Sequence, residues 1–375
     1  MRKTFEYRLL PTRAQADAMT AMLRTHCRLY NAALEHRRTA YRVAGASVNY
    51  AQQSAELKPI RREDPFVART NFSSCQATLR RLDRAFQAFF RRLKAGETPG
   101  YPRFKAASRF KTVEYPSIGD GCAFSEDERR VYFQHIGRIK VKLHRPLEGV
   151  PKTLSFARKA DGWYVLVSCD LGELTVEPSA NPPVGIDLGL ISFIATSDGE
   201  TVGAPKPYRT AQAKLRRAQR HLARCKRGSN RRKKAVQRVA KQHQHVANVR
   251  KDFHHKTART LVNTHGLIAV EALNIRGIAR SRLAKSTHDA GWAQFLAILT
   301  HKAASAGVQV VTVDPRNTSQ ACSDCGSLVP KNLSVRLHVC PHCGFAADRD
   351  VNAAKNILRL GLSRQARTPT LAEVA

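Results

Sequence analysis

The stretch from residue 322 to residue 354 decides how this chain is read. It runs Cys322-Ser323-Asp324-Cys325, then 14 residues, then Cys340-Pro341-His342-Cys343, and almost at once Asp348-Arg349-Asp350-Val351-Asn352-Ala353-Ala354. Two C-x-x-C knuckles supply four thiolates that can close a tetrahedron around one zinc ion. Their separation falls just short of the usual zinc-ribbon window of about 15–20 residues. Four thiolates leave no open coordination position, so Cys322, Cys325, Cys340 and Cys343 predict a structural zinc. His338 and His342 are expected as exposed polar residues. An acidic residue opening a helix, from about Val351 to Leu360, stands directly behind the knuckles and predicts metal chemistry of a second kind.

Working outward, Val308 to Val313 is an apolar strand before the knuckles, and Trp292 to Ala306 has the period of an amphipathic helix. Gly266-Leu267-Ile268-Ala269-Val270-Glu271 is a buried strand ending in a carboxylate. Val184-Gly185-Ile186-Asp187-Leu188-Gly189 and Ile191 to Thr196 read as strand, turn, strand, with Asp187 on the first. Three acids thus stand out: Asp187 in a strand, Glu271 at a strand end and Asp350 at a helix start. A structural role would account for any one of them. Asp187 is the hardest to dismiss, because a carboxylate between Ile186 and Leu188 is costly to bury without a cation. This order of strands and acids is what a ribonuclease H-like nuclease core requires. Three converging carboxylates hold two Mg²⁺ ions about 4 Å apart, one preparing the attacking water and the other stabilising the leaving 3′-oxygen.

Earlier in the chain, residues 3–10 alternate as a short strand. Ala14, Ala18, Met22, Leu23, Cys27, Tyr30, Ala33 and Leu34 then recur at helical steps. Asp64-Pro65 breaks the chain, and Phe72 to Leu93 fits a second long helix. Cys75, Leu79, Leu82, Phe86, Phe89 and Phe90 predict a core face there; Arg80, Arg81, Arg84, Arg91 and Arg92 predict a phosphate-facing one. Gly and Pro mark a linker over 96–103, and short alternating runs from 106 to 178 predict a β-rich module that the 3–10 strand could join. Asn181-Pro182-Pro183 marks a boundary. Between 206 and 259 there are 19 Lys and Arg against one acid, Asp252. Leu215, Ala218 and Leu222, then Val236, Val239, Val246, Val249 and Phe253, predict a helical hairpin with a thin apolar seam. Residues 276–289 read as a mobile polar loop, and the last dozen as frayed.

Composition narrows the partners. Lys and Arg number 64 against 29 Asp and Glu, a net charge of +35, which repels itself unless a polyanion neutralises it. Nucleic acid is the expected polyanion. Nine cysteines, five of them scattered, argue against a secreted disulfide framework and for a cytoplasmic protein; Cys27, Cys75, Cys122, Cys169 and Cys225 read as small buried hydrophobes. The first residues lack the apolar segment of a signal peptide, and no apolar run approaches membrane-spanning length, so no membrane partner is expected.

These residues resemble the TnpB family of transposon-encoded RNA-guided DNA endonucleases, relatives of the type V CRISPR effectors. The likeness is carried by Tyr7-Arg8-Leu9-Leu10-Pro11-Thr12, Gly100-Tyr101-Pro102-Arg103-Phe104-Lys105 and Gly185-Ile186-Asp187-Leu188-Gly189. It continues in Val270-Glu271-Ala272-Leu273-Asn274, Gly291-Trp292, Asp314-Pro315-Arg316-Asn317-Thr318-Ser319-Gln320 and the Asp348 to Ile357 segment. The resemblance implies a multidomain α/β protein. Residues 1–10 and 106–180 would form a β-barrel-like wedge module with a helical recognition domain, 11–105, inserted. Residues 181–316 and 346–375 would form a RuvC nuclease domain carrying a zinc-finger insertion at 317–345. It implies Asp187, Glu271 and Asp350 as catalytic magnesium ligands, with Asp348 the competitor for third place, and Arg316 near the scissile phosphate. It implies a guide RNA from the transposon end, double-stranded target DNA read through a short flanking motif, and a monomer. The basic hairpin would lie along phosphates and the 276–289 loop would act as a lid. A DNA transposase and a non-cleaving RNA- or DNA-binding regulator are the alternatives.

Overall fold

The computed structural model describes residues 1–173, 176–332 and 334–365. The chain divides into two units, Met1–Leu174 and Thr175–Ala375.

The first unit opens with β1 (Arg2–Leu10) and α1 (Arg13–Ala44). Thr12 starts the helix with a capping box, its hydroxyl accepting from the Gln15 N–H while the Gln15 side chain accepts from the Thr12 N–H. Gly45, at φ 62°, ends it in the left-handed region. Three short helices follow, α2 (Tyr50–Ala55), α3 (Leu57–Glu63) and α4 (Pro65–Ala68), then α5 (Phe72–Lys94). Asp64 does break the chain, and its carboxylate caps α4 by accepting from the Phe66 and Val67 N–H groups. The remaining elements are strands: β2 (Thr112–Tyr115), β3 (Cys122–Ser125), β4 (Arg130–Phe133), β5 (Gly137–Lys142), β6 (Val150–Lys159) and β7 (Gly162–Asp170). All pair antiparallel in the order β2-β6-β7-β1-β5-β4-β3, so the N-terminal strand joins the later β module at its centre. Phe5, Tyr7 and Leu9, two residues apart, point into one core with Met19, Leu34, Cys75 and Leu82 of the helices. The aromatic face of α5 only partly serves that core. Phe86 is buried, and Tyr101 packs edge-on against Phe86 and Phe89, but Phe90 is 52% exposed, meeting only the rings of Phe86 and Phe89 on its own helix. Arg81, expected on the phosphate-facing side, lies over the Phe110 ring and donates to Thr112.

The second unit holds a mixed sheet. Its elements in chain order are β8 (Pro183–Leu188), β9 (Ser192–Thr196), β10 (Thr201–Gly203), α6 (Pro207–Arg224), α7 (Asn230–Thr264), β11 (Leu267–Glu271), α8 (Ile275–Ile278), α9 (Ala284–Ala290), α10 (Trp292–Ala304), β12 (Gln309–Val313), β13 (Leu337–Val339), β14 (Ala346–Asp348) and α11 (Arg349–Gln365). The five-stranded order is β10-β9-β8-β11-β12, with β8, β11 and β12 mutually parallel and β9 and β10 antiparallel. Alternation sorts the residues between the faces. Val184, Ile186, Leu188, Ile268 and Val270 pack with Leu261, Phe295 and Leu299 of α7 and α10. Ala269 and Leu267 pack with Ile357 of α11 on the opposite face.

Three expectations are corrected here. Residues 276–289 are not an open loop: they contain α8 and α9, and buried Asp289 ties them down by accepting from the backbone N–H groups of Tyr208 and Arg209 at the start of α6. The hairpin seam is narrower than the near-heptad spacing implies. Val236 and Val249 are exposed, while Ala235 and Val246 are buried, because the face of α7 turned to Ala211 and Leu215 of α6 runs through Val246 and not through the neighbouring valines. His338 is fully buried, with Lys331 Nζ against its Nδ1, whereas His342 is exposed. The five scattered cysteines are all buried. Residues 366–375, most of the tail expected to fray, lie outside the described residues, and among the described residues no helix is long and apolar enough to cross a membrane.

Candidate active site and metal cluster

The same alternation places two of the three acids. Val270 pairs with Ile186 in parallel register, so Asp187 and Glu271 leave β8 and β11 at the same level. Being odd-numbered partners of Gly185 and Ala269, both face α11. The helix reaches that face because two glycines let it. A Cβ at Gly185 would lie 2.1 Å from the Ala354 carbonyl oxygen and 2.6 Å from the Leu358 nitrogen, and one at Gly361 would lie 2.6 Å from Ala269 Cβ. Its first turn carries Asp350, whose Oδ2 comes within 3.9 Å of a Cβ placed at Gly189, in the turn just after β8.

Asp348 and Asp350 separate cleanly. Asp348 Oδ1 accepts from the N–H groups of Asp350 (2.8 Å) and Val351 (3.3 Å), so it caps α11. Two residues on, about 200° around the helix, Asp350 is turned the other way. It ion-pairs with Arg336.

Electrostatics tie the three together. Burial, then the neighbouring charges of Glu271 and Asp350, push the Asp187 carboxyl up to about 7; the Leu188 N–H and the Arg336 charge oppose the rise. Burial also raises Glu271, against a hydrogen bond from the Thr318 hydroxyl. A buried carboxyl raised by desolvation and by two acidic neighbours marks a site short of positive charge, and a divalent cation with oxygen ligands would relieve it. The donor set therefore fits magnesium. Asp350 is paired with Arg336 and Glu271 accepts from Thr318. Among the described residues, the four cysteines are the one group of three or more potential ligands whose donor atoms all lie within 4.8 Å.

Arg316 is not drawn into the acid cluster. It is 88% exposed, 3.8 Å from Asp314, and makes no ion pair with the three acids.

The cysteine cluster is built from two matching knuckles. In each, a glycine with positive φ follows the second cysteine (Gly326 at 79°, Gly344 at 75°), and its N–H donates to the carbonyl of the first cysteine at 3.0 Å. Cys322 and Cys340 N–H groups then donate to Ser327 and Phe345 carbonyls, both at 2.9 Å. The Sγ atoms of Cys322 and Cys343 are 3.7 Å apart and those of Cys325 and Cys340 are 3.6 Å apart. A regular tetrahedron of thiolates about 2.3 Å from zinc has edges of about 3.8 Å, so the set fits zinc.

Two asparagines of the motif behind the knuckles bind this finger to α11. Buried Asn352 accepts from the Ser323 N–H (2.9 Å) and donates to the Ala321 carbonyl (2.8 Å). Buried Asn356 donates to the carbonyls of Thr318 (2.9 Å) and Ala321 (2.7 Å). Their signal was the Asn-Ala-Ala-Lys-Asn run, with two amides four residues apart on one helical face. Nothing in the sequence marked Arg336, and Thr318 stood in a quoted motif with no role given to it; both meet the acids only through the fold.

A mixed α/β sheet thus carries two carboxylates on adjacent parallel strands, a third on the helix packed over them, and an adjoining four-cysteine finger. Comparison with known proteins gives the family. Residues 166–282 match a family described as probable transposase (OrfB of IS605), 292–357 match a Cas12f1-like TNB domain and 1–45 match a helix-turn-helix domain, a stretch that here folds as β1 and the single long helix α1. The chain is 33% identical, over 98% of its own length and 91% of the other's, to a Streptomyces pristinaespiralis protein named "Putative RNA-guided DNA endonuclease". It is 27% identical, over 96% and 92%, to an Escherichia coli (strain K12) protein of the same designation, InsQ. A solved Cas12f1–sgRNA–target DNA complex shares the fold, with TM-score 0.56 at 16% identity over 90% of this chain and 81% of that one. The chain belongs to the TnpB family, the IS605 OrfB type.

Proposed function

We propose that this chain is an RNA-guided, magnesium-dependent DNA endonuclease, with a ribonuclease H-like RuvC core at residues 181–316 and 346–375. Residues 317–345 are its zinc finger. Residues 1–10 and 106–180 act as a wedge module and 11–105 as a helical recognition domain. The observation that carries the reading is the meeting of Asp187, Glu271 and Asp350 on one sheet face, in a chain with this family membership.

Asp187, Glu271 and Asp350 would hold the magnesium, which when bound supplies an activated water and charge stabilisation for the departing 3′-oxygen. Thr318 fixes the rotamer of Glu271, and the cap from Asp348 fixes the first turn of α11 and so the Asp350 carboxylate. Arg336 neutralises Asp350 and would swing from it to a strand phosphate as the site fills. The basic hairpin α6–α7 would track phosphates of RNA or heteroduplex, while base pairing supplies sequence recognition. Cys322, Cys325, Cys340 and Cys343 would hold zinc in a purely structural role.

The test uses Glu271→Gln protein expressed from a fragment that keeps its native downstream DNA. A discrete RNA from the element's end should co-purify. Wild-type protein carrying that RNA should cut matching duplex with magnesium, and the variant should not. Heterogeneous RNA, or guide-independent joining of transposon ends, would refute the reading.

A further inference from the structure

The stretch 96–103, whose Gly and Pro read as a linker, does not swing free. Tyr101 returns to the end of α5 and meets Phe86 at 5.6 Å and Phe89 at 5.3 Å between ring centroids, edge to face in both cases. Phe90 extends the row, 5.2 Å from Phe89. Beyond Tyr101 the chain is pinned to α1. The Lys105 N–H donates to the Asn31 side-chain oxygen, and the Lys105 carbonyl accepts from the Asn31 amide nitrogen, both at 2.9 Å. Pro102 is buried. The rings are therefore fixed before any partner arrives, which lowers the ordering cost of binding to them.

Although ordered, the row is open to solvent. Tyr101 is 45% exposed, close to Phe90, and Leu93 is exposed one turn further along α5. Contiguous apolar surface of this kind marks an interaction site. The charge around it narrows the partner. Residues 84–105 hold six Arg and Lys against one acid, Glu97. Arg91, Arg92 and Arg103 are exposed and have no ion-pair partner among the described residues. Arg92 stands beside the returning loop, its Nη1 3.8 Å from a Cβ placed at Gly100. The Tyr101 hydroxyl has no hydrogen-bond partner among the described residues either.

An apolar protein surface laid here would bury those guanidinium groups without an opposite charge, at a cost. A nucleic-acid strand brings flat rings for the aromatics and phosphates for the arginines. In a duplex each base face is covered by its neighbours, so the strand must be unpaired. The Tyr101 hydroxyl both donates and accepts, which suits a ribose 2′-hydroxyl and gains nothing from deoxyribose. We infer that Phe90 and Tyr101 form a stacking shelf for two unpaired RNA bases, with Arg92 and Arg103 on the adjoining phosphates. The inference rests on the RNA-guided reading above and adds to it a place where an unpaired stretch of that RNA is held.

The test reads the shelf itself in the full-length, zinc-loaded chain freed of nucleic acid. Phe90→Trp adds an exposed indole to a chain whose own Trp163 and Trp292 are buried. A short oligoadenylate RNA should quench that indole, and an abasic strand with the same number of phosphates should not. Tyr101→Ala in this background should raise the Kd about tenfold, the loss of one stacked base, with the salt dependence unchanged. Arg92→Gln should instead reduce the slope of log K against log salt by about 0.7, one phosphate contact fewer. The matching oligodeoxyadenylate should bind more weakly than the RNA. The replaced rings are exposed, so the Tm of each variant should stay at the wild-type value. Equal quenching by the abasic strand, or an unmoved Kd in Tyr101→Ala, would overturn the shelf, and equal or tighter binding of the DNA strand would overturn its assignment to RNA. Self-association of the wild-type chain in sedimentation, lost in Phe90→Ala, would make the surface a contact between two copies instead. No guide, target or magnesium enters the assay. Quenching without cleavage would therefore sink only the endonuclease reading, and guided cleavage without quenching would sink this inference alone.

Discussion

Gly185→Ala tests whether the third acid is placed by helix-to-strand proximity. The added Cβ would meet the Ala354 carbonyl oxygen at 2.1 Å and the Leu358 nitrogen at 2.6 Å. Both are backbone atoms of α11, so no side chain can swing aside. An ordinary C···O contact is about 3.3 Å, so the helix must retreat by roughly 1.2 Å and carry Asp350 with it. A misplacement of about 1 Å costs roughly 100-fold in rate. Overpacking of this kind costs about 1–3 kcal/mol, and for a unit of this size each kcal/mol lowers Tm by about 2–4 °C. The assay is single-turnover cleavage by the RNA-loaded protein beside thermal unfolding. Gly203→Ala is the control, since nothing lies within 4 Å of a Cβ at Gly203. Wild-type cleavage and an unshifted Tm in Gly185→Ala would refute the argument that α11 is seated by these contacts.

Other perturbations follow from the same contacts. Thr318→Val removes the hydroxyl that bonds buried Glu271; the unmet acceptor should cost about 1–3 kcal/mol and raise the magnesium concentration needed for half-maximal cleavage, and an unchanged magnesium titration would count against the role given to Thr318. Chelation of zinc, or Cys340→Ser, should unfold the finger and lower cleavage together, because a segment this small depends on metal for its fold; full activity at zero zinc by metal analysis would exclude it. His26 is fully buried between Thr78 and Ser74, and its pKa is lowered by burial to about 3. The unfolded chain takes up this proton below about 6.5 and the folded chain does not, so stability present above that value is lost as pH falls. Between pH 7 and 5 the first unit should lose roughly 2 kcal/mol, read as a denaturation midpoint whose pH slope is absent in His26→Gln. An identical slope in the variant would assign the loss to other groups.

Much of this was legible in the chain itself, for stated reasons. Strand alternation showed Asp187 and Glu271 where burial was expensive, and C-x-x-C pairs carry their own geometry. Short helices were less visible. α2 to α4, and α8 and α9, span too few turns to show a period, and a polar stretch such as 276–289 reads as loop until Asp289 is seen capping α6 from a distance. Surface and core aromatics were also inseparable at Phe90, because the helical period tells which face a residue takes but not which of its neighbours the partner ring covers. The choice between Asp348 and Asp350 needed the helix start to within one residue. Arg336 had no signal at all and Thr318 stood in a motif without a role, since their meaning comes from partners 14 and 47 residues away.

The route of the chain through the finger has a consequence for anyone who would re-engineer it. β14 runs directly into α11, Thr318 at the finger's entrance reaches Glu271, and Arg336 within it reaches Asp350. The inserted segment is thus no interchangeable cassette. A graft of a foreign zinc ribbon between residues 316 and 346 would preserve every acid and every cysteine yet leave two carboxylates without their keepers. Only a transplant that brings its own equivalents of Thr318 and Arg336, and still offers carbonyls to Asn352 and Asn356, would inherit a working centre.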